Sequence, residues 1–326
     1  MTRALITGGA GFIGHHIVAD LLTNTSWDLT LIDRLDVSGN LNRLADIGAA
    51  KHPRVKFFYH NLRAALSGQL INQLGAPFDY IIHLAAATHV DRAIQDPVSF
   101  VEDNVLGSCH LLNYARNVGC GRFLYFSTDE VFGSAPPGVA YKEWDRYKST
   151  NPYSATKAGA EELAIAFHNT YGVPTLITHT MNVFGERQHP EKYIPTAIRK
   201  IMTDETLPIF SNHERTRAGT RFYIHASAVA SAVRFVLANG VPGEKYNIVG
   251  EREIDNLWLA GRTAEIMGCD LHYEFTGDAV RPGHDMRYAL DGSLLASMGW
   301  APPDTMDQSL VQTVEWFMDN DNAGWR

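Results

Sequence analysis

Cysteine is scarce, with three residues in a chain of 326. Cys109, Cys120 and Cys269 are too few and too far apart for a disulfide framework or a thiolate metal site, and read as reduced thiols. No apolar run approaches the roughly 20 residues that span a bilayer. Met1 is followed almost directly by a strand pattern, leaving no signal peptide to expect. Basic charge is not in excess: 28 Lys and Arg stand against 36 Asp and Glu, a formal charge of −8. That weighs against nucleic acid as a partner. The 14 histidines show no ligand spacing with cysteine or carboxylate, so no metal is expected. Internal repeats and low-complexity tracts are absent. What remains is an ordinary composition, 45% hydrophobic, sufficient for a full core and a smaller appended lobe. The expectation is a cytoplasmic protein with no membrane partner.

The first half alternates strand and helix patterns. Ala4-Leu5-Ile6 is a short apolar strand. It runs into Gly8-Gly9-Ala10-Gly11-Phe12-Ile13-Gly14 and then into a helical pattern through Leu22. Strand, glycine turn and helix in that order suit a pyrophosphate. The glycines permit close backbone approach, and the helix N-terminus offers unpaired N–H groups to an anion. The next strand, Leu29 to Ile32, ends in Asp33, nineteen residues past Gly14, where an acid would hold the adenosine ribose hydroxyls. A carboxylate there repels a 2′-phosphate and favours NAD over NADP; Arg34 beside it weakens that exclusion. Further strands are expected at 55–59, 80–86, 123–126 and 173–178. Helices are expected at 66–74, from Pro97 to about Gly119, and from Pro152 to about Tyr171. The fold class is therefore α/β, a Rossmann-type doubly wound parallel sheet with a smaller C-terminal lobe. Residues 1–180, with a segment of about 222–245 returning, would form the dinucleotide-binding part. Residues 181–326 would form most of a non-contiguous substrate lobe. The loop 134–149, with Pro136-Pro137-Gly138, is a candidate mobile lid.

Two segments carry chemistry. Ser127-Thr128-Asp129-Glu130 lies at the C-terminal end of the 123–126 strand, where ligands of open α/β sheets bind. Tyr153 and Lys157 lie four apart on a helix and share one face. A lysine beside a phenol favours phenolate, a base suited to alcohol oxidation. A plain alcohol–ketone hydride shuttle needs no further acid and base. Elimination of water does, and Asp129 and Glu130 supply the pair.

The motifs GGAGFIG at 8–14, LAAATHVDRAI at 84–94, STDEVFG at 127–133, NPYSATKAG at 151–159, HPEKYIP at 189–195, YNIVG at 246–250 and RPGHDMRYALD at 281–291 run nearly end to end. On these the chain resembles the extended short-chain dehydrogenase/reductase family, and within it the nucleotide-sugar 4,6-dehydratases of the dTDP-glucose type. The resemblance implies Tyr153 as the base at the sugar 4-hydroxyl and Lys157 on the nicotinamide ribose. Thr128 would orient that hydroxyl, Glu130 would take the C5 proton and Asp129, protonated, would give one to the departing 6-hydroxyl. It implies a cofactor site of Gly8, Gly11, Phe12, Ile13, Gly14, Asp33, Arg34, Gly39, Asn40, Asn61, Leu62, Leu84, Ala85, Ala86, Tyr153, Lys157 and Val183. The nucleotide-sugar would meet Thr88, Asn182, Lys192, Tyr193, Arg221, Asn247, Arg281 and His284. A homodimer through a four-helix seam of the 97–118 and 152–171 helices is implied as well.

Three departures from the family pattern stand out. His60-Asn61-Leu62 replaces an acid near the adenine. Ala87-Thr88 replaces a Glu-Ser step. Arg217-Ala218-Gly219-Thr220-Arg221 rewrites the diphosphate arginine segment, leaving Arg217 or Arg221 as that residue, with Arg221 favoured. The nucleotide, dTDP or UDP, stays open. A 4-epimerase or UDP-glucuronate decarboxylase would share the fold, NAD and the Tyr/Lys pair, but neither calls for the Asp129-Glu130 pair. A nucleotide-sensing regulator would be expected to have lost these groups.

Overall fold

The computed structural model describes residues 1–276 and 286–325. Seven parallel strands form its central sheet. The first six are β1 (Arg3–Thr7), β2 (Asp28–Asp33), β3 (Val55–Tyr59), β4 (Phe78–His83), β5 (Cys120–Thr128) and β6 (Thr175–Thr180). The seventh, β7 (Lys245–Ile248), arrives late in the chain and pairs with β6. The spatial order is β7-β6-β5-β4-β1-β2-β3, so the order reverses at β1. A crevice opens there beyond the C-terminal strand ends, because the connections leave to opposite faces. The register aligns Thr7 with Ile32 and with His83, and Thr128 with Thr180, so the strands deliver their last residues to one rim.

The inner strands are buried along most of their length because both faces are covered, while the edge strand β3 exposes Lys56 and Tyr59. On one face, α1 (Phe12–Asn24) packs against a helix at Ala226–Asn239, through Ile17, Val18, Leu21, Val229, Val233 and Val236. On the other face, α2 (97–118) and α3 (Pro152–Tyr171) bury Leu111, Leu112, Ala115, Ala160 and Ala164 against Ile81, Phe123 and Tyr125. α3 starts where Asn151 caps it: its side chain accepts from Ser154 N–H (2.9 Å), and Pro152 fills the first turn. It stops at Gly172, whose φ of +71° is left-handed. A separate apolar cluster holds the C-terminal lobe. There Ile194, Ile198, Leu259, Leu310, Val314 and Phe317 join helices Tyr193–Met202, Asn256–Met267 and Met306–Met318.

Three sequence expectations change. The strand expected at 80–86 ends at His83, because residues 84–87 turn away from the ladder to line the crevice. The helix from Pro97 is continuous but contains a π-helical turn at Val101–Leu106. The loop 134–149 is a strap tied along its length, in place of a lid. Ala135 N–H donates to Arg287 O (2.9 Å), Tyr141 N–H to Ala289 O (3.0 Å) and Lys148 N–H to Val131 O (2.9 Å). The Trp144 indole donates to Glu244 (3.0 Å), and the Tyr147 hydroxyl donates to Glu161.

Candidate active site

One cleft runs along the rim of the sheet from Asp33 to Tyr193, passing Gly8, Ala85, Thr128 and Lys157. Its floor is backbone held close. A Cβ on Gly8, where φ is +74°, would sit 2.8 Å from Ala85 N; one on Gly14 would sit 2.1 Å from Gly8 O. Gly11 is the N-cap of α1, so the first N–H groups of that helix face the cleft between these glycines. Phe12 and Ile13 line the same stretch. A tight turn, close approach and a helix N-terminus fit a dinucleotide pyrophosphate.

At one end Asp33 closes β2. Its carboxylate accepts from Ala10 N–H (3.1 Å) and Leu35 N–H (2.9 Å), and burial raises its pKa above the ordinary range. Gly39 packs against it: a Cβ there would stand 2.6 Å from Asp33 Oδ1. Asn61, Leu62, Leu84, Ala85, Ala86 and Val183 line the cleft as well. Asn40 does not. Its side chain caps the helix Leu41–Asp46 by accepting from Asn42 N–H (2.9 Å). Local helix capping took the side chain that the motif had assigned to the cofactor.

At the other end, Thr128, Asp129, Glu130, Tyr153 and Lys157 line one wall. Thr128 caps the short turn Asp129–Phe132. Its hydroxyl accepts from Glu130 N–H (3.3 Å) and donates to Asp129 Oδ1 (3.1 Å). Asp129 is 5% exposed, and its Oδ2 has no hydrogen-bond partner among the described residues. Burial first, then the Glu130 charge, push its pKa up to about 7, against the pull of Arg221 and Thr128. The Asn151 amide donates to Glu130 Oε2 (3.2 Å), tying the start of α3 to the acid pair.

Lys157 is buried, and burial lowers its pKa to about 7. Its ammonium donates to Phe126 O (2.7 Å) and lies 4.4 Å over the Tyr125 ring. The expected lowering of the Tyr153 phenol is reversed in the protein alone. Burial raises it, the Glu130 and Asp129 charges raise it further, and the Thr128 hydroxyl opposes them.

Side chains not singled out in the sequence hold the wall in place. Asn104, in the π turn of α2, accepts from Ala87 N–H (2.8 Å) and donates to Ala87 O (3.0 Å) and Thr156 Oγ1 (2.9 Å). It joins the 84–88 loop to α3. Behind Thr128, the Ser127 hydroxyl donates to the fully buried Glu161 (2.7 Å). Glu161 also meets His179 (3.0 Å) and Lys245 (3.0 Å). Burial raises the Glu161 pKa, but these partners outweigh it and hold the carboxyl below its ordinary range. Glu161 follows Lys157 by one helical turn, a spacing visible in the sequence; its partners come from other elements.

Thr88, Asn182, Lys192 and Tyr193 lie along the cleft, with Lys192 at the N-cap of helix Tyr193–Met202. The Tyr193 hydroxyl is engaged, donating to Asn256 O (2.7 Å). Two expected substrate contacts fall elsewhere. Asn247 is wholly buried in β7, donating to Tyr141 O (3.0 Å) and Asp291 O (3.1 Å) and meeting His179 Nδ1 (3.0 Å). It braces the strap. Arg221 is 5% exposed and off the cleft lining; it donates to Thr220 O (2.7 Å) and Met286 O (2.9 Å), and its charge reaches Asp129. Arg217 is exposed. Arg281 and His284 lie outside the described residues.

The histidines are less scattered than their spacing implied. His89, His189 and Glu191 bring ligand-type atoms within 4.8 Å of one another at the cleft mouth. Arg92 stands 3.4 Å from Glu191, and the Lys192 charge acts on both imidazoles, so the neighbourhood opposes a divalent cation. Residues 89 and 189 meet only through the fold.

The profile of the NAD dependent epimerase/dehydratase family matches residues 4–249. The chain is 38% identical over 318 residues to the low-salt glycan biosynthesis protein Agl12 of Haloferax volcanii, covering 97% of this chain and 99% of that protein. It is 37% identical over 332 residues to a dTDP-glucose 4,6-dehydratase of Streptomyces niveus, covering 99% and 94%. In structure it is similar to the dTDP-glucose 4,6-dehydratase DesIV of Streptomyces venezuelae with NAD and TYD bound. There the TM-score is 0.90 at 37% identity, covering 99% of this chain and 98% of that one. A UDP-glucose 4-epimerase of Thermus thermophilus with NAD gives a TM-score of 0.87 at 26% identity, covering 98% and 100%.

Proposed function

The chain belongs to the NAD dependent epimerase/dehydratase family, and within it we propose that the protein is an NDP-glucose 4,6-dehydratase. The product would be an NDP-4-keto-6-deoxyglucose. The observation that carries this reading is the acid pair. Asp129 is pushed up to about 7 and leaves one buried oxygen unpaired, next to Glu130 and in the same wall as Tyr153. An epimerase has no use for a carboxyl kept protonated there.

Thr128 would orient the sugar 4-hydroxyl while Tyr153 takes its proton. NAD, held along the glycine floor of the cleft by Gly8, Gly11, Gly14 and Asp33, would supply the hydride acceptor for C4 and the hydride donor for C6. The C4 ketone acidifies the C5 hydrogen, which Glu130 removes. Asp129 gives its proton to the C6 hydroxyl, which leaves as water. C5 is then reprotonated, so the sugar has lost one water and the cofactor ends as it began. Lys157, anchored on Phe126 O, would meet the nicotinamide ribose.

The relatives named for dTDP-glucose favour that nucleotide. Incubation with dTDP-glucose and with UDP-glucose in separate tubes tests both points. A 4-keto-6-deoxy product absorbs strongly in alkali and carries solvent deuterium at C5. Epimerised substrate without that absorbance would overturn the reading.

A homodimer fits the surface. Ile94, Val98, Val101 and Leu106 are 40%, 66%, 49% and 42% exposed along or just before α2, an apolar stripe suited to a seam between copies. No helix among the described residues is long and apolar enough to cross a membrane. The free cysteines suit a reducing compartment such as the cytoplasm.

A further inference from the structure

The π turn of α2 carries a second side chain toward the cleft, one residue before Asn104. Asp103, 7% exposed in its side chain, lies between two arginines that reach it from different loops. Arg34, directly after Asp33, grips it with both terminal nitrogens, Nη2 to Oδ2 at 2.9 Å. Arg63, after β3, grips it from the other side, Nε to Oδ1 at 2.5 Å and Nη2 to Oδ2 at 3.0 Å. Each arginine has a further acid: Asp36 for Arg34 (Nε to Oδ2, 2.7 Å) and Glu102 for Arg63 (3.0 Å). Asp33, Arg34, Asp36, Arg63 and Asp103 all line the end of the cleft where the adenosine ribose is expected.

Two guanidinium groups beside a ribose are what a 2′-phosphate calls for, because the planar fork matches its oxygens. Here the forks already face carboxylates. With Asp33 included, four carboxylates stand against three arginines at this rim, the third being Arg43, which donates to Ala10 O, Ser38 O and Arg187 O, so an incoming dianion meets net negative charge and donors already in use.

We propose that Asp103 is a specificity-determining residue for the cofactor: by holding Arg34 and Arg63 together it denies them to a 2′-phosphate, and so makes the cleft exclude NADP as well as accept NAD. The inference rests on the reading of this cleft as the NAD site. It corrects the expectation that Arg34 loosens the exclusion set by Asp33. A bare arginine would do so; an arginine shared by Asp36 and Asp103 does not.

The test is binding. Protein freed of nucleotide is titrated with NAD⁺ and with NADP⁺ by calorimetry, for wild type, Asp103→Asn and Asp36→Asn. Wild type should bind NAD⁺ more tightly by about 100-fold or more, since no group is left to pair the extra phosphate. Asp103→Asn should narrow that ratio about tenfold or more, through a gain in NADP⁺ affinity that fades as salt is raised. Asp36→Asn, on the more exposed side, should narrow it less, by about threefold. Asp103→Asn combined with Arg63→Met should give back most of the gain. Normal NAD⁺ binding by Asp103→Asn with an unchanged ratio overturns the proposal and leaves the cleft's assignment standing. Should Asp103→Asn fail to fold, an unchanged ratio in Asp36→Asn overturns it. Wild type that binds neither nucleotide overturns the assignment and the proposal together.

Discussion

The two ends of the cleft handle charge in opposite ways. At the Asp33 end every charge described above has a partner: Arg34 and Arg63 clasp Asp103, and Asp33 accepts two backbone N–H groups. At the Asp129 end charge is kept under-satisfied. Asp129 Oδ2 is buried without a hydrogen-bond partner among the described residues, Lys157 is buried on a carbonyl, and the Tyr153 phenol is pushed up by burial and by two carboxylates. Paired charges fix shape and exclude ligands at little cost in reactivity. Under-satisfied buried charges have shifted pKa values, the condition for moving protons near neutral pH. The contrast separates recognition from chemistry within one cleft.

Removing the phenol should break the reactive end most completely. Tyr153→Phe should lower turnover about 10³- to 10⁴-fold, the upper range for a positioned acid–base group. Steady-state assay with dTDP-glucose measures it, and near-normal turnover would place the base elsewhere.

The acid pair should separate into two distinct losses. Glu130→Gln should cut solvent deuterium wash-in at C5 about 10²-fold while binding persists. Asp129→Asn should slow departure of the 6-hydroxyl by a similar factor of about 10² while ketone formation continues. Single-turnover absorbance of the reduced cofactor distinguishes them: it should rise and linger in Asp129→Asn. Normal C5 exchange in Glu130→Gln would sink the role assignment.

The pH profile should sharpen the same contrast. In the proposed role Asp129 acts protonated, and its pKa is raised to about 7, so the elimination step should be fastest below that value and fall as pH rises through it. Arg221 pulls this pKa down. Arg221→Met should therefore carry the falling limb to higher pH. A limb unmoved by Arg221→Met would detach Arg221 from Asp129.

The smallest effect on chemistry is expected away from both ends. Val101→Glu places a charge in the apolar stripe of α2 and should give monomers in sedimentation where wild type should give dimers. Unchanged sedimentation would remove that face from the assembly.

Much of this was legible from local pattern. The glycine turn, Asp33 at a strand end, Thr128-Asp129-Glu130 at another and the Tyr153/Lys157 helix each depend on near neighbours, so short-range periodicity and spacing exposed them. The structure adds what the motifs could not give where a side chain had a choice of partner. Asn40 reads like a cofactor residue and became a helix cap. Asn247 reads like a diphosphate contact and became a brace for the strap. The loop 134–149 has the prolines and glycine of a lid and is tied down by carbonyls about 150 residues away.

Sequence alone determined the order of elements, the dinucleotide signature and the candidate reactive side chains, because these follow from spacing along a helix or a strand. Tertiary structure decided which charges are satisfied. Asp103, Arg34 and Arg63 meet from three separate segments, and Asp129 is left buried and short of a partner. Pairing and burial depend on distances across space, and those distances set both the pKa of Asp129 and the pairing of the arginines.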